Sequence, residues 1–384
     1  MLLACRIDFQ FTGKEFCDMP RTVLVAPDKF KGTLSAAQAA EAIAKGWRSA
    51  KLEDRLDLLP ITDGGDGFGE IVSGLLQAEP QTTKTVDAAH RPCTVTWWWH
   101  AKSRTAIIES ARVIGLAQLP PGKYHPFELD TCGLGEVLLA AAEKGARECL
   151  IGIGGSATND GGFGMAGALG WQFFTNRDEK ILRWTVLHSL AQIRPPDKQR
   201  LFERVTVAVD VQNPLLGPQG CTRIYGPQKG LRPEDFEFAE RCLEQLALIL
   251  SKELHVDCAE ERGAGAAGGL GYGLRCFANA KLEPGFDLFA RHANLEQRLK
   301  NVELVITGEG AIDSSSGMGK GVGELVEMCK RLNIPCIGIG GVITTPSLFE
   351  RAYALTPDFV ALEEAIGNAA VHLEALAAKA AHEV

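Results

Sequence analysis

No stretch of this sequence stays apolar for the roughly 20 residues that a membrane-spanning helix needs, so no membrane span is expected. Cations are in deficit: 40 Lys and Arg stand against 48 Asp and Glu, a formal net charge of −8. Nucleic-acid backbones are bound by surplus Lys and Arg that release counterions, so no nucleic-acid partner is expected and any anion site must be local. The 11 cysteines lack CxxC pairs and zinc-type Cys/His spacing, and the eight histidines lack HExxH. A histidine-based metal site is therefore not expected, and the scattered odd thiol count points to a reducing, cytoplasmic setting. The first 18 residues carry no cationic segment followed by a continuous apolar one, which argues against a secretory signal. Met19 stands just before the first strong strand, so residues 1–18 are expected to be an extension outside the fold.

What is present reads as a globular α/β protein. A chain of 384 residues exceeds one ordinary core, which favours two domains. Short β-branched runs alternate with longer segments of helical period, the pattern of a mainly parallel sheet. TVLVA from Thr22 reads as a strand, followed by a helix whose start is marked by Ser35 and Gln38 in capping-box spacing. Further helices are expected around 134–142, 242–250 and 362–373, and further strands at 56–61, 149–153, 205–209, 303–307, 336–339 and 358–361. Most of these strands are too apolar for a sheet with one wet face, so both faces should be covered. Between Thr82 and Glu109 the helices disappear and alternating strands surround a Pro-containing turn, which suggests an antiparallel portion and a second domain. Trp97 to Trp99 are expected to pack on both faces of one strand, because successive side chains alternate. No linker separates two sequential halves, so an inserted domain fits better than two beads.

Glycine and ionisable residues collect after the strands: PDKFKG, DGGDG, GGSATNDGG, DVQNP and GEGAID each follow an apolar run. In open α/β sheets ligands bind beyond the carboxyl ends of strands, so these loops are expected to converge on one cleft. GGSATNDGG spans Gly154–Gly162 and has the glycines for an amide nest around phosphate, with Gly154, Gly155, Ser156, Thr158 and Asn159 as candidate contacts. The plainer reading is a glycine-rich turn with Asp160 as a cap. GIGGSA also satisfies GxGxxA after a strand, with Asp178 at the distance of a ribose-binding acid, which keeps a dinucleotide enzyme open. A Walker A loop is missing: in SSSGMGKG, Ser314 replaces the first glycine and Gly321 the final Ser or Thr, although Lys320 could still meet phosphate. GAGAAGGLGYG, with Gly268 near its centre, suits either a close nucleotide approach or close helix packing.

Phosphoryl transfer needs acids and cations together. Asp63 and Asp66 flank Gly64 and Gly65, Asp210 ends a strand, and Glu309 and Asp313 flank a turn. Such carboxylates can hold magnesium or take a substrate proton, and some simply cap helices. Lys29, Lys31, Lys229 and Arg112 could balance carboxylate and phosphate charge.

The ordered set PDKFKGTLSA, DGGDG, GIGGSATNDGG, DVQNPLLG, YGPQKG, GAGAAGGLGYG and TGEGAID resembles the bacterial glycerate kinase family from Pro27 to Asp313. The resemblance implies ATP and Mg2+ as cofactors, D-glycerate as substrate, often at its 2-hydroxyl, and a flavodoxin-like domain with an inserted α/β domain. Applied to this chain, residues 20–80 with 290–384 would form the first domain and 81–289 the second, with the cleft between them. The loops at Asp63, Ser156, Asp210, Lys229 and Glu309 should border it. Two departures bear on nucleotide preference or substrate selection: Ser314–Ser316 stand where a Gln-Thr segment is usual, and Lys29 stands where serine is usual. The roles assigned here are Asp210 as proton acceptor with Lys229 and Lys31 beside it, and Glu309, Asp313 and Asp63 as metal ligands. Gly154, Gly155, Ser156, Thr158, Asn159, Gly268 and Lys320 are assigned to the nucleotide, and Asp66, Arg112 and Lys29 to the substrate. Competing readings are an NAD-dependent hydroxy-acid dehydrogenase and an inactive nucleotide sensor. Homo-oligomerisation and the phosphorylated hydroxyl stay open.

Overall fold

The computed structural model describes residues 20–197, 200–314 and 321–384, so the expectations for residues 1–18 and for Lys320 lie outside the described residues. The first strands are β1 (Thr22–Val25) and β2 (Arg55–Leu58), followed by β3 (Glu79–Val86), β4 (Pro92–His100), β5 (Thr105–Glu109) and β6 (Glu148–Gly152). Next come β7 (Gln172–Thr175), β8 (Leu190–Arg194), β9 (Arg204–Val209) and β10 (Lys281–Pro284). The chain then forms β11 (Leu304–Thr307), β12 (Ala311–Ile312), β13 (Cys336–Ile343) and β14 (Arg351–Thr356).

One sheet is wholly parallel and runs β2-β1-β11-β13-β14, with the two-residue β12 added beside β13. Leaving β12 aside, its strands are ordered 2-1-3-4-5 by entry, the flavodoxin-like doubly wound order. Both faces are covered, as the apolar runs require: Val23, Val25, Leu304 and Ile306 pack with Trp47 and Leu373 from helices Ala36–Ala50 and Ala369–Glu383. On the other face Leu24 and Val305 meet Leu325 from helix Gly321–Leu332 and Phe286 and Phe289 from helix Gly285–His292. Helix Ala36–Ala50 starts on the expected capping box, with Ser35 Oγ accepting from Gln38 N and Gln38 Oε1 accepting from Ser35 N.

The second sheet is mixed. Strands β10-β9-β6-β5 are parallel, and β5-β4-β3 continue antiparallel, which is the change of pattern seen between Thr82 and Glu109. Trp97 and Trp98 are buried in different clusters, as alternation along β4 demands. Strands β7 and β8 form a separate hairpin.

Helix Phe68–Leu76 joins the two sheets because it is apolar on two sides. Phe68 and Val72 pack with Trp98, Leu150 and Ala208 of the second sheet, while Ile71 and Leu75 pack against the first. Burying a side chain such as Phe68 contributes about 2 kcal/mol, so this helix anchors both layers at once.

Two expectations are corrected. The run 358–361 is a turn, and the strand lies earlier, at β14: Pro357 supplies no N–H for a ladder, and Val360 N bonds back to Leu355 O at 2.9 Å. The helix expected over 362–373 is two helices, Leu362–Gly367 and Ala369–Glu383, broken at Asn368, whose backbone is non-helical. Among the described residues no helix is long and apolar enough to cross a membrane.

Candidate active site

The chain reverses its winding between β1 and β11, and the loops leaving these strands run side by side, with Asp28 N donating to Gly308 O at 2.8 Å. This is the switch point of the doubly wound sheet, where a crevice opens by topology alone. Asp28 lies in it, buried, and was missed in the sequence although it follows its strand much as Asp210 does. Burial pushes its carboxyl up to about 7, and the charges of Asp63 and Glu309 add to the rise.

Lys29 sits at the centre of an acidic ring. Burial alone would lower its pKa, but Asp63, Asp28, Asp66 and Asp210 outweigh it and hold the ammonium above its ordinary value. These acids come from three loops, after β1, β2 and β9, that are remote in sequence. Four carboxyls from three loops around one lysine offer the hard oxygen ligands that a divalent cation takes.

The loops after β2 and β6 touch directly: Gly154 N donates to Gly64 O at 3.3 Å. Gly155 has a φ of +76°, and a Cβ there would come within 2.6 Å of Asp66 Oδ1. Only glycine allows this turn and this approach together. Ser156 follows, its hydroxyl paired with Thr158 Oγ1 at 2.9 Å and bonded to Ala267 O at 3.3 Å.

Glu109, a second missed acid, ends β5. Its carboxylate accepts from Gly67 N at 3.2 Å and Gly69 N at 3.0 Å, closing the start of helix Phe68–Leu76. Arg112, one turn on, reaches Glu70 at 2.6 Å and lies 5.0 Å above the Trp98 ring. Lys229 ends helix Cys221–Lys229, and its buried Nζ donates to Thr158 O at 2.6 Å. Burial pulls its pKa down to about 8. Burial also pushes the Tyr225 hydroxyl up to about 12, with the Asp210 charge adding to the rise.

Nine expected residues line one cleft of about 1560 Å³: Lys29, Lys31, Asp66, Arg112, Gly154, Gly155, Ser156, Asp210 and Lys229. Thr158, Asn159 and Gly268 stand behind its wall. Thr158 and Asn159 are fully buried, and Asn159 Nδ2 donates to Thr222 Oγ1 at 3.1 Å. Gly268, φ +72°, packs so tightly on the Thr158 carbonyl that a Cβ would sit 1.9 Å from its oxygen. The glycines of GAGAAGGLGYG thus serve backbone packing, with Ala267 the residue of that run that reaches the cleft. Asp160 is a buried cap, accepting from Thr131 N, Thr131 Oγ1, Gly162 N and Gly164 N.

Asp63 borders the ring and accepts from Gly65 N at 3.2 Å, and Glu309 acts on Asp28 by its charge. Asp313 is exposed just after β12 and is not among the described residues that line the cleft. Among the described residues, the group of three metal-type side chains with ligand atoms within 4.8 Å of one another is His90, Asp130 and Cys132, not Asp63, Glu309 and Asp313. Asp130 there accepts from Cys132 N at 2.9 Å at the start of helix Cys132–Glu143.

The dinucleotide reading is not supported. After β6 the loop continues through 153–162 before the short helix Phe163–Ala168, so GIGGSA does not open a helix onto a pyrophosphate. Asp178 is exposed in the β7–β8 hairpin and paired with Arg194 at 2.6 Å.

The sequence model of the glycerate kinase family matches residues 23–384. The chain belongs to that family. It is 35% identical to a glycerate kinase of Halalkalibacterium halodurans over 90% of this chain and 93% of that protein. It is 38% identical to a glycerate 2-kinase of Escherichia coli, covering 84% and 85% respectively. The solved structure bearing the name glycerate kinase 2 from Salmonella typhimurium superposes with a TM-score of 0.81, at 33% identity, over 95% of this chain and 98% of that one.

Proposed function

We propose that this glycerate kinase family member transfers the γ-phosphoryl group of ATP to the 2-hydroxyl of D-glycerate, giving 2-phosphoglycerate and ADP. The observation that carries the proposal is one cleft lined by Lys29, Asp66 and Asp210 together with Gly154, Gly155 and Ser156, with Asp28 and Asp63 acting on Lys29 by their charge. Family membership argues for the acceptor. The hydroxyl oxygen attacks the γ-phosphorus, the bond to the ADP oxygen breaks, and the hydroxyl proton passes to Asp210. Asp63 and Glu309 would contribute carboxylates to Mg2+, with the charge of Asp28 beside them, and the ion would neutralise charge on the transferring phosphoryl group. Lys29, Lys31 and Lys229 neutralise phosphate oxygens, and Arg112 and Asp66 orient glycerate through its carboxylate and hydroxyl. Positioning and electrostatics supply most of the rate, as phosphoryl transfer demands. The units 20–80 with 290–384 and 81–289 form the two walls, and the setting is cytoplasmic.

A coupled assay with glycerate, ATP and magnesium should release ADP, and phosphorus NMR of the product should find the ester on the 2-hydroxyl. A nicotinamide absorbance change without ADP would favour the dehydrogenase instead. Tight ATP binding without product would favour the sensor.

A further inference from the structure

Beside the charged cleft lies a second cavity of about 720 Å³, between the start of helix Ala36–Ala50 and helix Phe68–Leu76. The two cavities share Lys29, Lys31, Asp66, Glu109 and Arg112, so they adjoin along these charged side chains. Beyond that junction the character changes. Leu34, Leu58, Leu59, Pro60, Ile71 and Leu75 supply the larger apolar side chains of the remaining wall, and Glu70 and Arg298 are its remaining charged residues.

An apolar chamber joined to a junction where Lys29, Lys31 and Arg112 stand beside Asp66 and Glu109 matches a molecule with an apolar end and an anionic end that can carry a divalent cation. Glycerate has no apolar end: its three carbons carry a carboxylate and two hydroxyls, and nothing on it rewards an aliphatic wall. A nucleotide has both ends, a flat aromatic base and a polyphosphate. The chamber also falls within the usual size of small-molecule pockets, about 300–1,000 Å³.

We propose that this chamber holds the nucleoside of the phosphoryl donor, with its phosphates passing Lys31 and Lys29 into the larger cleft, where glycerate binds. This rests on the kinase reading and adds to it the direction in which the donor lies. The base enters from the side of the parallel sheet, and the acceptor from the side of the Gly154–Ser156 loop. Gly74 marks the chamber wall: it is exposed, and a Cβ added there meets no atom within 4 Å. A larger side chain at that position fills the chamber without disturbing the core, and replacing glycine inside a helix also favours the helix.

The test uses Gly74→Leu and, from the facing helix, Ala37→Phe, with the full chain and MgATP. Calorimetric titration of MgATP should give a Kd raised about tenfold in each variant, and KM for ATP should rise with it, while KM for glycerate stays within about twofold. Unchanged ATP affinity in both variants, or a rise confined to glycerate, would overturn the assignment. Because ATP binding is titrated directly, a wild-type protein that binds ATP in this chamber but makes no phosphoglycerate would sink the kinase reading and leave the nucleoside site standing. A wild-type protein that does not bind MgATP would sink both.

Discussion

Asp28 and Asp160 are both buried carboxyls held above their ordinary range, yet they sit in opposite kinds of environment. Asp160 is enclosed by four donors from its own and a neighbouring loop, so its work is finished inside the protein. Asp28 lies among Asp63, Glu309 and Lys29, ionisable groups that come from three different strand-end loops. A raised acid is therefore not by itself a mark of chemistry. The mark is a raised acid set among several ionisable groups brought together from separate strand-end loops.

The comparison breaks first on activity. Asp210→Asn should lower kcat about a thousandfold with the fold retained, checked by coupled ADP release and thermal unfolding. Near-normal turnover would remove Asp210 as the proton acceptor and with it the functional half of the contrast. On the structural side, Asp160→Ala should cost about 3 kcal/mol in urea unfolding, because the donors it leaves are buried. A loss of activity at unchanged stability would put Asp160 in the chemistry instead.

Titration sharpens the contrast further. In magnesium-free protein both acids keep their protons to higher pH when folded than when unfolded, where an aspartate titrates near 3.8. The folded state then binds more protons than the unfolded one, so stability falls as pH rises from about 4 toward 6 through Asp160 and toward 7 through Asp28. Asp28→Asn should flatten the upper part of that fall, and adding Mg2+ to the wild type should oppose it. Asp160→Asn should alter only the lower part. Thermal unfolding across pH, with and without EDTA, reads all of these. The smallest effect is expected for Ser156→Ala, which removes one hydroxyl from the cleft wall and should raise a substrate KM about fivefold, an effect near 1 kcal/mol.

The same distinction explains how far the residues could be read in advance. The strand-end loops were legible, because apolar runs followed by glycine and acid report both a buried strand and its exit. Lys29, Asp66, Gly155 and Asp210 reach the cleft on that logic. Thr158, Asn159 and Gly268 share the same composition but face inward, since a glycine-rich loop seen as a string does not say which of its sides meets another backbone. Asp28 and Glu109 were hidden for a related reason: their importance comes from neighbours contributed by other segments. The break at Asn368 was missed because the apolar spacing continues across it.

Local order was written in the chain itself: the alternation of strands and helices, the capping box at Ser35, the antiparallel stretch before Glu109, and the family to which the motifs belong. Those features depend on residues a few positions apart, whose steric and apolar preferences act without the rest of the molecule. Which acids share a field, which half of the Gly154–Gly162 loop faces solvent, and where an apolar chamber meets a charged cleft were decided only on folding. Burial and Coulomb interaction depend on distance in space, and here the groups concerned lie on loops that follow different strands.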